Sequence, residues 1–298
     1  MTDLFPLVSP HRRRPALPVL RRPRVGLALG GGGARGYAHI GVLRVLEREG
    51  IPIDYLAGTS MGGLIAAGYA AGLTPEQMET EALRLQMRRL LDISLRRMGL
   101  LEGKRVREHL VRLLGKKEFS DTRIPLRLVA VDLETGEEVA LDQGPLVDAV
   151  RATISVPGVF CPTEWRGHHL VDGGLINNVP ADVVRTMGAE VVIAVDVGTP
   201  PANGPEWGAQ QWRFRLPGLT LVGPMLDTLL RSAQIMQAEI VRHRLELAHP
   251  DVLIRPDIGP VRTEEFERAA DVIPAGERAA AEALPRIRAL LRRRLFWS

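Results

Sequence analysis

The sequence predicts an α/β protein in which parallel strands alternate with helices. Three observations support this fold class. Residues 25–29 form a short apolar run that leads into a glycine-rich turn and a helical pattern, and residues 54–58 lead in the same way into a serine turn and a run of small residues. Residues 189–197 form a third apolar run, which has the composition of a strand at the centre of a sheet.

The remaining elements follow from local signals in chain order. Thr74, Pro75 and Gln77 have the spacing of an N-cap, a first helical residue and a capping box. The turn at residues 134–137 separates two strand-like runs, which predicts a hairpin. The other expected elements are helices at residues 104–114, 145–154, 223–248 and 275–295, and strands at 126–133, 138–142 and 252–254.

The composition allows a large core and argues against several classes of site. Of the 298 residues, 45% are hydrophobic, and 39 basic residues face 35 acidic ones. The arginines cluster at residues 12–24, 84–97 and 292–294, and we interpret these clusters as solvated faces rather than as a nucleic-acid surface. Cys161 is the only cysteine, which excludes an intramolecular disulfide framework and a cysteine-based metal site.

The first residues predict a leader rather than a packed segment. Residues 1–23 are basic and rich in proline, without hydrophobic periodicity, and folded structure is expected from Arg24. Neither an apolar run of signal-peptide length nor one of the ~18 residues needed to span a membrane is present. We therefore expect a cytoplasmic protein, with contact to the inner membrane face at most peripheral.

The glycine-rich turn predicts an anion site. Residues 30–36 connect the first strand to the first helix, where free backbone N–H groups gather. Its Gly31-x-Gly33-x-x-Gly36 spacing matches the fingerprint of a dinucleotide site, but the same amides would also suit the oxyanion of a tetrahedral intermediate.

The second turn decides between these two anions. Ser60 stands between Gly58 and Gly62, which is the pattern of a nucleophile elbow at the end of a strand. Asp54 has about the right spacing for a ribose ligand, but it precedes this strand, whereas a ribose ligand belongs at the strand's end. An anion site and a nucleophile at the same edge of a parallel sheet favour a hydrolase.

Three motifs together resemble the signature blocks of the patatin-like phospholipase family, in particular its short bacterial members. These are Gly31 to Gly36, Gly58 to Gly62 and Asp172-Gly173-Gly174, in the order found in the family. The similarity covers residues 24–200. The resemblance implies a three-layer sandwich with a central, mostly parallel sheet, and a single domain over residues 24–295 with C-terminal helices at 223–295. It also implies hydrolysis of acyl esters, often in lipids, by a serine–aspartate dyad without histidine.

This resemblance assigns roles to individual residues. Ser60 is expected to be the nucleophile and Asp172 its base, although a carboxylate with an ordinary pKa of ~3.9 is a weak base for a hydroxyl unless burial raises that pKa. The backbone N–H groups of Gly31, Gly32 and Gly33 are expected to form the oxyanion hole, assisted by that of Met61. The expected supporting residues are Arg35, Gly36, Gly58, Gly62, Gly173 and Gly174, with a surface ion pair as the alternative role of Arg35. The substrate is expected to be a lipid or another acyl ester, without cofactor, metal or nucleic acid; the oligomeric state is left open.

Other mechanisms fit the residues less well. A Ser-His-Asp triad would use His243 or His249, which follow Asp172 in the chain order of α/β-hydrolases, but His243 lies in an arginine-rich helical pattern typical of a solvated face. A metal site at the adjacent residues His168 and His169 is disfavoured because neighbours on a strand point to opposite faces.

Other functions also remain as hypotheses. The chain could be a membrane-associated regulatory or scaffold protein that keeps the fold and turns over little, or a dinucleotide-binding protein. Residues 76–98 combine apolar side chains with arginines, and residues 199–220 combine aromatics with arginines. The first segment is interpreted as a surface helix pair, with a lid as the alternative. The second fits a lipid interface, a substrate flap or a dimer contact.

Overall fold

The computed structural model describes residues 22–87, 90–92, 99–198 and 223–293. The predicted leader, apart from its last two residues, lies outside this range, and so do the segment 199–220 and part of the arginine-rich segment 76–98. Arg22 belongs to the predicted leader, yet its guanidinium forms two hydrogen bonds of 2.6 and 2.8 Å with the carboxylate of Asp54. The described contacts therefore include a residue of the predicted leader.

One eight-stranded mixed sheet forms the centre of the protein. Each strand is hydrogen-bonded to the next in the path β5-β6-β3-β2-β1-β7-β8, and β4 is paired to β3 outside this path. The strands β8, β7, β1, β2 and β3 are parallel, while β4, β6 and β5 are antiparallel to their partners. The bounds are β1 Val25–Leu29, β2 Tyr55–Thr59, β3 Leu126–Asp132, β4 Glu138–Leu141, β5 Thr163–Trp165, β6 His168–Asp172, β7 Val191–Val195 and β8 Val252–Ile254.

Helices cover both faces of the sheet. The bounds are α1 Ala38–Arg48, α2 Met61–Ala70, α3 Pro75–Arg84, α4 Lys104–Leu114, α5 Leu146–Thr153, α6 Ala181–Thr186, α7 Gly223–Ala248 and α8 Ala269–Arg293. Alternate residues of β1 divide between two apolar clusters: Leu27 packs with α1, α2, α5 and α8, whereas Ala28 packs with α6 and α7. This confirms the expected sandwich of helices, mostly parallel sheet and helices.

The strands β2 and β6 lie end to end along one edge of β3. Thr59, the last residue of β2, pairs with Val129, and Asp172, the last residue of β6, pairs with the next residue of β3, Ala130. The opposite edge of the same stretch of β3 is occupied by β4. Because β2 and β6 approach from opposite directions, the residues at their carboxyl ends meet.

Two helices differ by several residues from the sequence-based expectation. The capped helix α3 begins as expected, with both hydrogen bonds of the capping box between Thr74 and Gln77, but it ends at Arg84. Helix α8 begins at Ala269 rather than at residue 275 and contains Pro274. Packing overrides the proline there: α8 crosses α1 so closely that a Cβ on Gly276 would lie 1.8 Å from a backbone oxygen of α1.

In the described part of the chain, no helix combines the length and apolar character needed to cross a membrane.

Candidate active site

Ser60 occupies a sharp turn between β2 and α2. Its backbone has φ 54° and ψ −126°, a left-handed conformation that costs a non-glycine residue on the order of 1–3 kcal/mol. Close packing explains the glycines on either side. A Cβ on Gly62 would lie 2.2 Å from the carbonyl oxygen of Leu29, and one on Gly58 would lie 2.6 Å from the carbonyl oxygen of Gly62. The turn is therefore a strained elbow that excludes side chains at both glycines.

The Ser60 hydroxyl lies against a buried carboxylate. Ser60 Oγ donates a hydrogen bond of 2.6 Å to Asp172 Oδ2, and the N–H of Gly174 donates one of 2.8 Å to Asp172 Oδ1. Asp172 is only 5% exposed. Burial raises the pKa of Asp172 to about 6 from its ordinary 3.8, and the two donated hydrogen bonds offset only part of that rise. The carboxylate is thus a better proton acceptor than an exposed aspartate.

The glycine-rich turn lies beside this pair. A Cβ on Gly31 would be 2.9 Å from Ser60 Cβ, but the Gly31 N–H already donates to the carbonyl oxygen of Asn178 at 3.0 Å. Gly31 therefore provides close approach rather than an oxyanion donor, which corrects the sequence-based role. Within the described residues, no acceptor is present for the N–H groups of Gly32 and Gly33. Met61 is the first residue of α2, where an N–H has no partner within the helix.

Arg35 is buried behind the turn. Its side chain is sequestered and donates from Nη2 to the carbonyl oxygen of Gly198 at 2.8 Å, which ties the turn to the segment after β7. Burial lowers the pKa of Arg35, and the nearby charge of Asp196 offsets part of this shift. The surface ion pair considered as an alternative is therefore excluded, and Arg35 stiffens the turn.

The side chain of His39 is hydrogen-bonded to the glycine-rich turn. The side chain is fully buried in α1, and its Nε2 lies 2.7 Å from the carbonyl oxygen of Gly30. Because a carbonyl only accepts, Nε2 carries the proton. Burial lowers the pKa of His39 to about 4, although the bond to Gly30 and the charge of Asp196 oppose the shift. His39 is therefore a neutral donor.

The remaining supporting glycines line the same region. A Cβ on Gly36 would lie 2.3 Å from Met61 Cγ, and one on Gly173 would lie 2.4 Å from the carbonyl oxygen of Val129. Gly174, as described above, holds the second oxygen of the carboxylate.

Four polar residues of the site were not assigned from the sequence in these roles. Asn178 Nδ2 donates to the Gly31 carbonyl oxygen at 3.1 Å, and Gln237 Nε2 of α7 donates to the Gly174 carbonyl oxygen at 2.7 Å. Thr153 Oγ1 accepts the N–H of Ser60 at 2.9 Å, and the carbonyl oxygen of Ser155 accepts the N–H of Asp172 at 3.0 Å. In the sequence, Thr153 stands near the end of the helix predicted at residues 145–154 and Ser155 directly follows that helix, which indicated a structural role for this segment.

The alternative residues have other partners. His243 is exposed on α7 beside Glu239 and Glu246. His168 and His169 bind separate carboxylates, those of Asp132 and Glu134. Over the described ranges, no group of three or more metal-ligating side chains is present.

Asp54 and Ser155 are also occupied. Asp54 immediately precedes β2, at the amino-terminal ends of the parallel strands, whereas the glycine turn lies at their carboxyl ends. There it accepts hydrogen bonds from Arg22 and from the N–H of Val25. Ser155 is fully buried, and its hydroxyl donates to the Arg151 carbonyl oxygen. A role of Asp54 as a ribose ligand is therefore not supported, and the Ser155 hydroxyl is engaged within its own segment.

The chain is similar in sequence to proteins of one family. The model of the patatin-like phospholipase family matches residues 27–185. An uncharacterized NTE family protein of Mycobacterium bovis is 30% identical over 331 residues, which cover 88% of this chain and 91% of that protein. A patatin-like phospholipase domain-containing protein of Caenorhabditis elegans is 33% identical over 89% of this chain, which spans only 21% of that longer protein.

A solved structure supports the fold independently. The crystal structure of VipD from Legionella pneumophila superposes with a TM-score of 0.57 at 14% identity, covering 89% of this chain and 67% of VipD. The family model and the two sequence relatives show that the chain belongs to the patatin-like phospholipase family.

Proposed function

We propose that the protein is a serine lipid acyl hydrolase in which Ser60 and Asp172 form the catalytic dyad. The observation that carries this proposal is the 2.6 Å hydrogen bond from Ser60 Oγ to Asp172 Oδ2, made by a serine in a strained elbow to a carboxylate that is 5% exposed. Family membership favours an acyl ester of a lipid as the substrate class.

In the first half of the reaction, Ser60 Oγ attacks the ester carbonyl carbon and its proton moves to Asp172 Oδ2. The negative charge that develops on the carbonyl oxygen is stabilised by the N–H groups of Gly32 and Gly33, with that of Met61 at the start of α2. One well-placed donor of this kind contributes roughly 2.7–4 kcal/mol to the transition state. Collapse of the intermediate expels the alcohol, which takes the proton from Asp172 and leaves an acyl group on Ser60.

In the second half, water attacks the acyl-enzyme and transfers a proton to Asp172. Collapse releases the fatty acid, and Ser60 Oγ recovers its proton from the carboxyl group. Burial of Asp172 favours both halves, because a pKa of about 6 narrows the gap between the carboxylate and the hydroxyl that it deprotonates. A histidine is not needed in this scheme.

A lipid panel and a serine-directed probe test the proposal together. The purified protein is incubated with phospholipids, lysophospholipids and short p-nitrophenyl esters, and separately with a fluorophosphonate. Wild type should release fatty acid and become labelled, while Ser60→Ala should lose both properties. Ser120→Ala is the matched control, because Ser120 is exposed on a turn before β3. Full hydrolysis by Ser60→Ala would refute the proposal.

The same labelling experiment tests the second hypothesis. A regulatory or scaffold protein of this fold would leave Ser60 unlabelled and every lipid intact under conditions where the protein is folded. The strained backbone of Ser60 argues for the enzyme, because strain of this kind is retained where it serves a mechanism.

A further inference from the structure

We propose that Thr153 is a positioning residue for Ser60, whose backbone it holds in the left-handed conformation that aims Oγ at Asp172. The inference rests on the proposed function and adds a residue to it. Thr153 is the last residue of α5 and is fully buried. Its Oγ1 accepts the N–H of Ser60 at 2.9 Å and donates its own proton to the carbonyl oxygen of Val129.

The register of the sheet explains why a hydroxyl stands there. Leu56 of β2 donates its N–H to the carbonyl oxygen of Pro125, just before β3, at 3.0 Å. Bonds of a parallel ladder recur every two residues, so continuing this one would join the N–H of Ser60 to the carbonyl oxygen of Val129. The Thr153 hydroxyl lies between these two groups and replaces the direct hydrogen bond with two bonds of its own. It satisfies both groups while β2 leaves the sheet, and this allows the elbow to form.

The surroundings of Thr153 are fitted to its side chain. A Cβ on Gly63 would lie 2.9 Å from Thr153 Cγ2, so the second glycine after the elbow makes room for the threonine methyl group. Two residues further on, the carbonyl oxygen of Ser155 accepts the N–H of Asp172, and Arg151 donates to the Ser155 hydroxyl at 2.8 Å. One short segment of the chain therefore contacts the backbones of both members of the dyad.

A single oxygen atom separates the two variants that test this role. Thr153→Ser keeps the bridging hydroxyl, Thr153→Ala removes it, and both lack the methyl group. The readouts are kcat and KM for a p-nitrophenyl ester and the rate of fluorophosphonate labelling, with thermal unfolding to show that each variant is folded. Thr153→Ser should stay within about threefold of wild type. Thr153→Ala should lose about 10- to 100-fold in kcat and in labelling rate at unchanged KM, as expected for a displaced nucleophile.

Equal kcat and equal labelling rates in the two variants would overturn the inference. If Thr153→Ala does not fold, Thr153→Cys replaces it, because a thiol is only a weak donor and acceptor. If wild type itself is unreactive, the proposed function fails, and amide hydrogen exchange at Ser60 then decides the positioning role. Slow exchange in wild type and Thr153→Ser with fast exchange in the hydroxyl-free variant supports it; equal exchange in all three refutes it.

Discussion

Ser60 Oγ and Asp172 Oδ2 lie 2.6 Å apart, although 112 residues separate them in the chain. They meet because β2 and β6 end against each other on one edge of β3, where Thr59 and Asp172 pair with consecutive residues. The contact between the two side chains is therefore set by strand register. A shift of one residue in the register of β6 would turn the Asp172 carboxylate to the other face of the sheet.

The strain at Ser60 predicts an unusual order of stability among its variants. Ser60→Gly and Ser60→Ala both remove the hydroxyl, but only alanine keeps a Cβ at a φ of 54°. We expect Ser60→Gly to be more stable than Ser60→Ala by about 0.5–2 kcal/mol, since relief of strain exceeds the entropy that glycine adds to the unfolded chain. Urea unfolding measures the difference. A less stable glycine variant would mean that the elbow stores no strain.

The raised pKa of Asp172 predicts that its charge destabilises the fold. The native carboxyl has a pKa of about 6 against an ordinary 3.8, so the native state binds more protons between these values and stability falls as pH rises through them. Asp172→Asn should therefore be more stable than wild type at pH 8, by on the order of 1–3 kcal/mol. The gain should vanish near pH 3, below the ordinary pKa of 3.8, where the carboxyl is mostly protonated in both states of wild type. Urea unfolding at the two pH values measures it, and a gain that is equal at both would contradict this origin.

The same pKa predicts the acid limb of the activity profile. A base must be ionised to accept the Ser60 proton, so kcat/KM should fall about tenfold for each pH unit below about 6. Fluorophosphonate labelling should follow the same limb, because it also needs deprotonated Asp172. An ordinary aspartate would place the midpoint near pH 4. A midpoint there would show that burial does not raise the pKa of Asp172.

The close packing around Gly31 predicts that a larger residue at this position lowers activity. A Cβ at this position would lie 2.4 Å from Asn178 Oδ1 and 2.9 Å from Ser60 Cβ, closer than such contacts occur. Gly31→Ala should displace the glycine turn and lower kcat at least about tenfold, by the sensitivity of catalysis to small displacements.

Gly68→Ala is the matched control for this variant. Gly68 lies in α2, and a Cβ there would meet only the flexible ends of Leu73 and Met78, at 3.3 Å. Its ester hydrolysis should equal that of wild type, and its stability should not fall, because alanine favours a helix over glycine. Unchanged activity in Gly31→Ala would show that the turn accommodates a Cβ without displacing the catalytic groups.

The parts of the site predicted from sequence are those with local patterns. The elbow glycines, the Asp172 loop and the glycine turn are each recognisable within a few residues. Together with the resemblance to the family that these three motifs carry, this sufficed for the fold class and for the choice of Ser60 and Asp172 as candidates. The engaged amide of Gly31 was not predicted, because its acceptor lies 147 residues away on Asn178. Thr153 escaped prediction for a similar reason: its role depends on the register between β2 and β3, which no short pattern encodes.

The boundaries of the elements were missed where packing opposed local preference. The helix predicted from residue 275 begins at Ala269, because close contact between α8 and α1 keeps the chain helical through Pro274. Gln237 could not be connected to the Asp172 loop, because the course of α7 over the sheet follows from side chains that face it from several elements.

The buried imidazole of His39 affects the pH dependence of stability in the direction opposite to the buried carboxylate of Asp172. Its native pKa of about 4 lies below the ordinary 6.5, so between these values the unfolded chain holds a proton that the native histidine lacks. Over nearly the same range, native Asp172 holds a proton that the unfolded chain lacks. Folding in mild acid thus exchanges one proton position for another with little net uptake. The contributions of these two groups to stability have opposite slopes, so they largely cancel each other between pH 4 and 6.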